Sequence, residues 1–184
     1  MFNLPNALSV LRIVLVPVLV VVLLTELPDK EWYGLALFLL ASLTDFLDGF
    51  IARRWQKITR LGKLLDPAAD KILTAAAFIS LVELGVAPSW MVTVIIAREL
   101  AVSALRSFAA AEGTIIPAGW SGKVKTVVQI VAISLLIIYN QLGELNHLAP
   151  ISLWVALAVS VYSGIEYFVR FGRLIVSGEV PPLA

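Results

Sequence analysis

Six apolar stretches, at roughly 7–25, 32–51, 64–84, 89–111, 124–140 and 150–170, occupy most of this 184-residue chain. Each approaches the ~20 residues that cross about 30 Å of hydrocarbon at 1.5 Å per residue. The chain is 60% hydrophobic and its mean hydropathy is +0.94, against roughly 45–50% apolar residues in a soluble domain. In lipid every backbone polar group must be bonded internally, so spans of this kind fold as helices. The expectation is all-α: a polytopic membrane bundle of six transmembrane helices. It forms one domain over residues 1–184, with a short N-terminal juxtamembrane segment and a short C-terminal tail. Pro17 falls inside the first span, which membrane helices tolerate when neighbours satisfy the freed carbonyl. That span lacks the basic flank and small-residue cleavage site of a signal peptide.

Charge in the connections predicts the orientation. Arg53, Arg54, Lys57, Arg60 and Lys63 crowd the link between the second and third stretches. Lys123 and Lys125 follow the fourth stretch after a Gly-rich turn, and Arg170 and Arg173 follow the sixth. Of Lys and Arg the alternate loops hold only Lys30. Basic loops stay cytoplasmic, so both termini are expected on that side. Trp32, Trp55, Trp90, Trp120 and Trp154 all fall near span boundaries, as in an interfacial aromatic belt. Absence of cysteine excludes disulfides and thiolate metal sites. The single histidine, His147, reads as a solvated loop residue, too isolated for a zinc site.

Four carboxylates stand at the ends of two apolar stretches, where they are costly and usually face a functional cavity. Asp45 and Asp48 are three apart, and Asp66 and Asp70 are four apart, so on helices each pair projects from one face. Gly49 and Ala52 continue the first face with small residues, and Arg53 lies one turn beyond Gly49. Gly62 precedes Asp66 by one turn. Brought together, the two faces make an all-oxygen pocket for hard divalent cations bridging phosphate oxygens. The competing reading, aspartates that cap helices or sit in a solvated headgroup layer, does not predict two clustered pairs with glycines on the same faces.

The segment Asp45-x2-Asp48-Gly49-x2-Ala52-Arg53-x8-Gly62-x3-Asp66-x3-Asp70 resembles the complete signature of the CDP-alcohol phosphotransferases. The opening NLPNALSVLR, the stretches AREL and ALR, and GWSGKVKT resemble the bacterial branch whose acceptor is sn-glycerol 3-phosphate. The resemblance implies transfer of a phosphatidyl group from CDP-diacylglycerol to that acceptor, giving phosphatidylglycerophosphate and CMP. It implies two ions, Mg²⁺ or Mn²⁺, held by Asp45, Asp48, Asp66 and Asp70, with Asp70 also the general base. Asp48, Gly49, Ala52, Arg53, Gly62 and Asp66 would bind the CDP moiety. A homodimer in the bacterial cytoplasmic membrane, with its active site facing the cytoplasm, is implied as well.

The residues also suggest an acceptor pocket. Arg98 lies deep in the fourth stretch, and Arg106 lies about two turns nearer the cytoplasm at 3.6 residues per turn. With Lys123 and Lys125 they could grip an acceptor that carries its own phosphate. The plainer reading of Arg106 and the lysines is anchoring on anionic lipid; for Arg98 it is pairing with Glu99 or Glu166. Within the family the rivals are a cardiolipin synthase or a phosphatidylinositol-phosphate synthase. Outside it the rivals are a divalent-cation transporter, which would place its site near the midplane between inverted repeats, and a non-catalytic assembly protein.

Overall fold

The computed structural model describes the backbone of residues 4–55, 60–111 and 119–177, and the side chains of residues 10–44, 68–111 and 119–172. Six helices follow in chain order: α1 (Leu4–Leu24), α2 (Lys30–Trp55), α3 (Arg60–Glu83), α4 (Ser89–Ala111), α5 (Trp120–Ile137) and α6 (Leu148–Ser177). There is no strand among the described residues. The all-helical expectation is met, with one helix for each apolar stretch.

Five of the six helices begin two to four residues before their stretches, because backbone hydrogen bonding continues where hydropathy has already fallen. The third and the fifth shift most at their starts, by four residues each. The fifth apolar stretch begins near residue 124, yet α5 begins at Trp120 and ends at Ile137, followed by two 3₁₀ turns at Tyr139–Gln141 and Gly143–Leu145. Lys123 and Lys125 therefore stand in the first turns of α5, not in a turn before it.

α1 packs on α2 and α3, α5 packs on α6 and α2, and α4 packs on α6 and α3. Each contact follows a helical stripe. On α1 the buried positions are Arg12, Val16, Leu19 and Leu23, spaced as one face of a helix. Gly34 of α2 sits so close to α1 that a β-carbon there would lie 2.5 Å from Leu23 Cδ2. The main core joins Leu19, Phe38, Phe78, Leu81, Ile95, Ile133 and Leu153; a smaller cluster joins Val102, Leu105, Ala109, Tyr167 and Phe171 between α4 and α6. The end of α3 is set by Gly85 at φ 72°. There Gly85 N–H bonds to Val82 O (2.9 Å) and Val86 N–H to Leu81 O (3.1 Å), the paired closure that a left-handed glycine permits.

The outside is apolar. Val14, Val21, Leu40, Leu43, Ile79, Leu100, Val127, Ile151 and Ile165 are all exposed. In water such a surface would aggregate; in lipid it is the expected contact. Trp32, Trp90, Trp120 and Trp154 are exposed at helix beginnings, and Trp90 meets Trp154 edge to face at 5.6 Å; Trp55's side chain lies outside the described residues. By length and composition, Trp120–Ile137 and Gly143–Gly172 are apolar enough to cross a membrane. In α3 and α4 the charges Asp70, Lys71, Arg98, Glu99 and Arg106 lower the hydropathy, and all five line the cavity described next. His147 is exposed in the α5–α6 connection, its Nδ1 3.0 Å from Glu144 O.

Candidate functional site

The two aspartate pairs lie on neighbouring helices. Asp45, Asp48, Gly49, Ala52 and Arg53 fall in the C-terminal half of α2; Gly62, Asp66 and Asp70 fall in the N-terminal half of α3. Only residues 56–59 separate the two helices, a link that spans at most about 18 Å fully extended. The helices also pack on one another. Both acidic segments are thus at the same end of the bundle. The side chains of Asp45, Asp48, Gly49, Ala52, Arg53, Gly62 and Asp66 lie outside the described residues.

Asp70 is described, and it lines a cavity of about 250 Å³ between α3, α4, α5 and α6. Arg98, Arg106, Lys123 and Lys125 line the same cavity. So all four candidate acceptor residues and the candidate base converge on one space. Lys71, Glu99, Ser103, Thr126 and Tyr167 complete its polar wall. Five cationic side chains face two carboxylates there, so the cavity favours an anionic occupant.

The pairing inside this wall is specific. Glu99 Oε1 accepts from Arg98 Nη1 (3.0 Å), Lys125 Nζ (2.6 Å) and Gln129 Nε2 (3.4 Å). Of the two carboxylates that could have paired with Arg98, Glu99 is the one that does. Arg98 Nη2 donates to Ser163 Oγ at 2.7 Å, tying α4 to α6. Lys71 donates to Ser103 Oγ, which in turn donates to Glu99 O (2.6 Å), tying α3 to α4. Lys125 is 8% exposed; its ion pair offsets the cost of that burial, since a buried cation needs a partner. Arg106 and Lys123 are exposed at the cavity's mouth.

Sequence reasoning missed several of these residues. Lys71 adjoins Asp70, and Ser103 and Ser163 are single hydroxyls within apolar stretches, a signal that was available but weak. Glu99 was read only as a pairing partner of Arg98. Arg12 belongs to the opening motif NLPNALSVLR and is 1% exposed on α1, the helix packed on the two that carry the aspartates. A lone cation inside an otherwise apolar span was its signature.

Residues 2–162 match the model of the family described as CDP-alcohol phosphatidyltransferase. A Bacillus subtilis protein named CDP-diacylglycerol–glycerol-3-phosphate 3-phosphatidyltransferase is 43% identical over 182 residues, covering 91% of this chain and 94% of that protein. Proteins of the same name from Rickettsia bellii and Salmonella choleraesuis are 37% and 42% identical, covering 90% and 74% of this chain and 93% and 77% of their own lengths.

Proposed function

This chain belongs to the CDP-alcohol phosphatidyltransferase family, and from that premise we propose that it transfers the phosphatidyl group of CDP-diacylglycerol to sn-glycerol 3-phosphate, releasing CMP. One observation carries the choice of acceptor: Asp70 shares its cavity with Arg98, Arg106, Lys123 and Lys125. A base and a cationic cluster in one space suit an alcohol that bears its own phosphate. At about 250 Å³ the space is below the roughly 300–1,000 Å³ of pockets for drug-sized ligands, which favours a compact acceptor head. The named relatives support the same reaction.

The donor side rests on α2 and α3. Asp45, Asp48, Asp66 and Asp70 are hard oxygen ligands at one end of two packed helices, a donor set that fits Mg²⁺ or Mn²⁺. When bound, such ions neutralise the pyrophosphate and the departing CMP. Asp48, Gly49, Ala52, Arg53, Gly62 and Asp66 are the proposed contacts to the CDP moiety. Small residues let its backbone approach be close, and the arginine supplies charge.

The acceptor's phosphate is held by Arg98, Arg106, Lys123 and Lys125, which brings its hydroxyl to Asp70. As the acceptor oxygen bonds to the phosphorus that carries diacylglycerol, the bond from that phosphorus to the CMP oxygen breaks. Asp70 takes the hydroxyl proton. A carboxylate is a weak base toward an alcohol, so the transfer is late, once the attacking oxygen has become acidic.

The proposed setting is the bacterial cytoplasmic membrane with the site and both termini on the cytoplasmic side. Support comes from the basic α2–α3 link and from the even number of helices. We also propose a homodimer; Ala101 and Ala104, exposed on α4, permit close approach of a second copy's helix. The reaction is tested by incubating the purified protein with CDP-diacylglycerol and Mg²⁺. CMP release that starts on addition of glycerol 3-phosphate and stops on chelation supports it. Transport of the cation without CMP release would refute it.

A further inference from the structure

We infer that Glu99 reads a hydroxyl group of the acceptor alcohol, and so sets which alcohols the enzyme accepts. The inference rests on the proposed reading, in which the acceptor occupies the cavity beside Asp70.

The argument begins with an asymmetry in one carboxylate. Among the described residues every side-chain donor that reaches Glu99 reaches the same oxygen: Arg98 Nη1, Lys125 Nζ and Gln129 Nε2 all point to Oε1. Oε2 accepts from no described residue. It is also not among the buried polar atoms without a partner, so it is reached from open space. Glu99 lines two such spaces, the cavity beside Asp70 and a smaller, mostly apolar one against Phe78, Ile95 and Ile96; only the first has the polar walls and the cations that suit a phosphorylated alcohol, and we place Oε2 there. An ionised carboxylate has about four acceptor positions on its two oxygens. Three donors fill one oxygen and fix the plane of the group; the other is left to the cavity.

Toward an alcohol such an oxygen can do one thing: accept a hydrogen bond. It repels phosphate, which accordingly goes to the cations. Those cations keep donors to spare. Lys125 has three N–H bonds and gives one to Glu99; Arg98 has four on its two terminal nitrogens and gives one to Glu99 and one to Ser163. The wall therefore offers donors for a phosphate and one acceptor for a hydroxyl, in an arrangement locked by its own bonds. Glycerol 3-phosphate has two hydroxyls: one must attack, and the other is available to Glu99 Oε2. A charge-assisted bond of this kind is worth about ten- to 150-fold in discrimination, and a site built around a substrate hydroxyl penalises an analogue that lacks it.

The test pairs two acceptors with two proteins, the full-length membrane enzyme and its Glu99→Gln variant. The acceptors are glycerol 3-phosphate and propane-1,3-diol monophosphate, which keeps the phosphate and the primary hydroxyl but lacks the middle one. In the variant, the three donors should hold the amide oxygen at the Oε1 position, which puts the amide nitrogen, a donor, where Oε2 stood. The wild type should prefer glycerol 3-phosphate by roughly ten- to 150-fold in kcat/KM. The variant should lose most of that preference, chiefly by losing activity on glycerol 3-phosphate. A purely structural Glu99 would lower activity on both acceptors equally and leave the preference intact, which would overturn the inference. Should the variant fail to fold, the wild-type ratio still decides, since a ratio near one also overturns it. If the wild type releases CMP with neither acceptor, the proposed reaction itself falls, and this inference with it.

Discussion

Arg98 passes α6 at Gly164, and the fit leaves no room for a side chain: a β-carbon on Gly164 would lie 2.8 Å from Arg98 Cγ and 3.3 Å from its Nε. The contact is with the root of the arginine, not its flexible end, so Arg98 could not yield without moving its guanidinium away from Ser163 and Glu99.

Gly164→Ala should therefore act on the acceptor. Loss of one bond to a charged group, about 1.5 kcal/mol, corresponds to a rise of about tenfold in the KM for glycerol 3-phosphate, with the KM for CDP-diacylglycerol unchanged. Gly172→Ala on the same helix, where nothing lies within 4 Å, is the control and should change neither. Steady-state CMP release measures both.

Asp70→Asn keeps the shape of the side chain and removes the base. Turnover should fall by at least about 10²-fold, the low end for loss of general-base catalysis, while donor binding largely survives. Near-normal turnover at saturating Mg²⁺ would show that another group takes the proton.

Arg106 is exposed at the cavity mouth, where phosphate binding and lipid anchoring make different forecasts. If it binds the acceptor phosphate, Arg106→Ala should raise the acceptor KM by roughly ten- to 150-fold, and Arg106→Lys should recover only part, because a point charge cannot reproduce the guanidinium fork. If it anchors on lipid, expression or insertion should fall with the acceptor KM unchanged.

The sequence made the outline of this molecule legible because lipid permits so few structures. Stretches of about 20 apolar residues had to be helices, and six were found. It could also be read that Arg98, Arg106, Lys123 and Lys125 belong together, since deep or clustered cations need a shared purpose. What it could not yield was the pairing. Arg98 and Glu99 are adjacent in the chain, but that Lys125 and Gln129 meet the same oxygen depends on how α5 docks against α4, which no local pattern encodes. The start of α5 was misplaced for a related reason: hydropathy marks the edge of the hydrocarbon, whereas the helix continues to Trp120 to keep its backbone bonded. Arg12 was passed over because one cation does not disturb an apolar average, although its burial on α1 is nearly complete.

Topology has its own test, made easy by the absence of cysteine. Single cysteines near Arg60 and near His147 can be labelled with a membrane-impermeant thiol reagent in intact cells. The account expects labelling near His147 and none near Arg60 until the membrane is opened. The reverse pattern would invert the orientation and move the aspartates to the outer face.

The most direct measurement is the lipid product formed by the purified protein from CDP-diacylglycerol and Mg²⁺ with each acceptor in turn: glycerol 3-phosphate, glycerol, phosphatidylglycerol and inositol phosphate. The account predicts phosphatidylglycerophosphate, formed with one CMP released per lipid, from glycerol 3-phosphate, and little product from the other three. Efficient use of phosphatidylglycerol or inositol phosphate with glycerol 3-phosphate inert would contradict it.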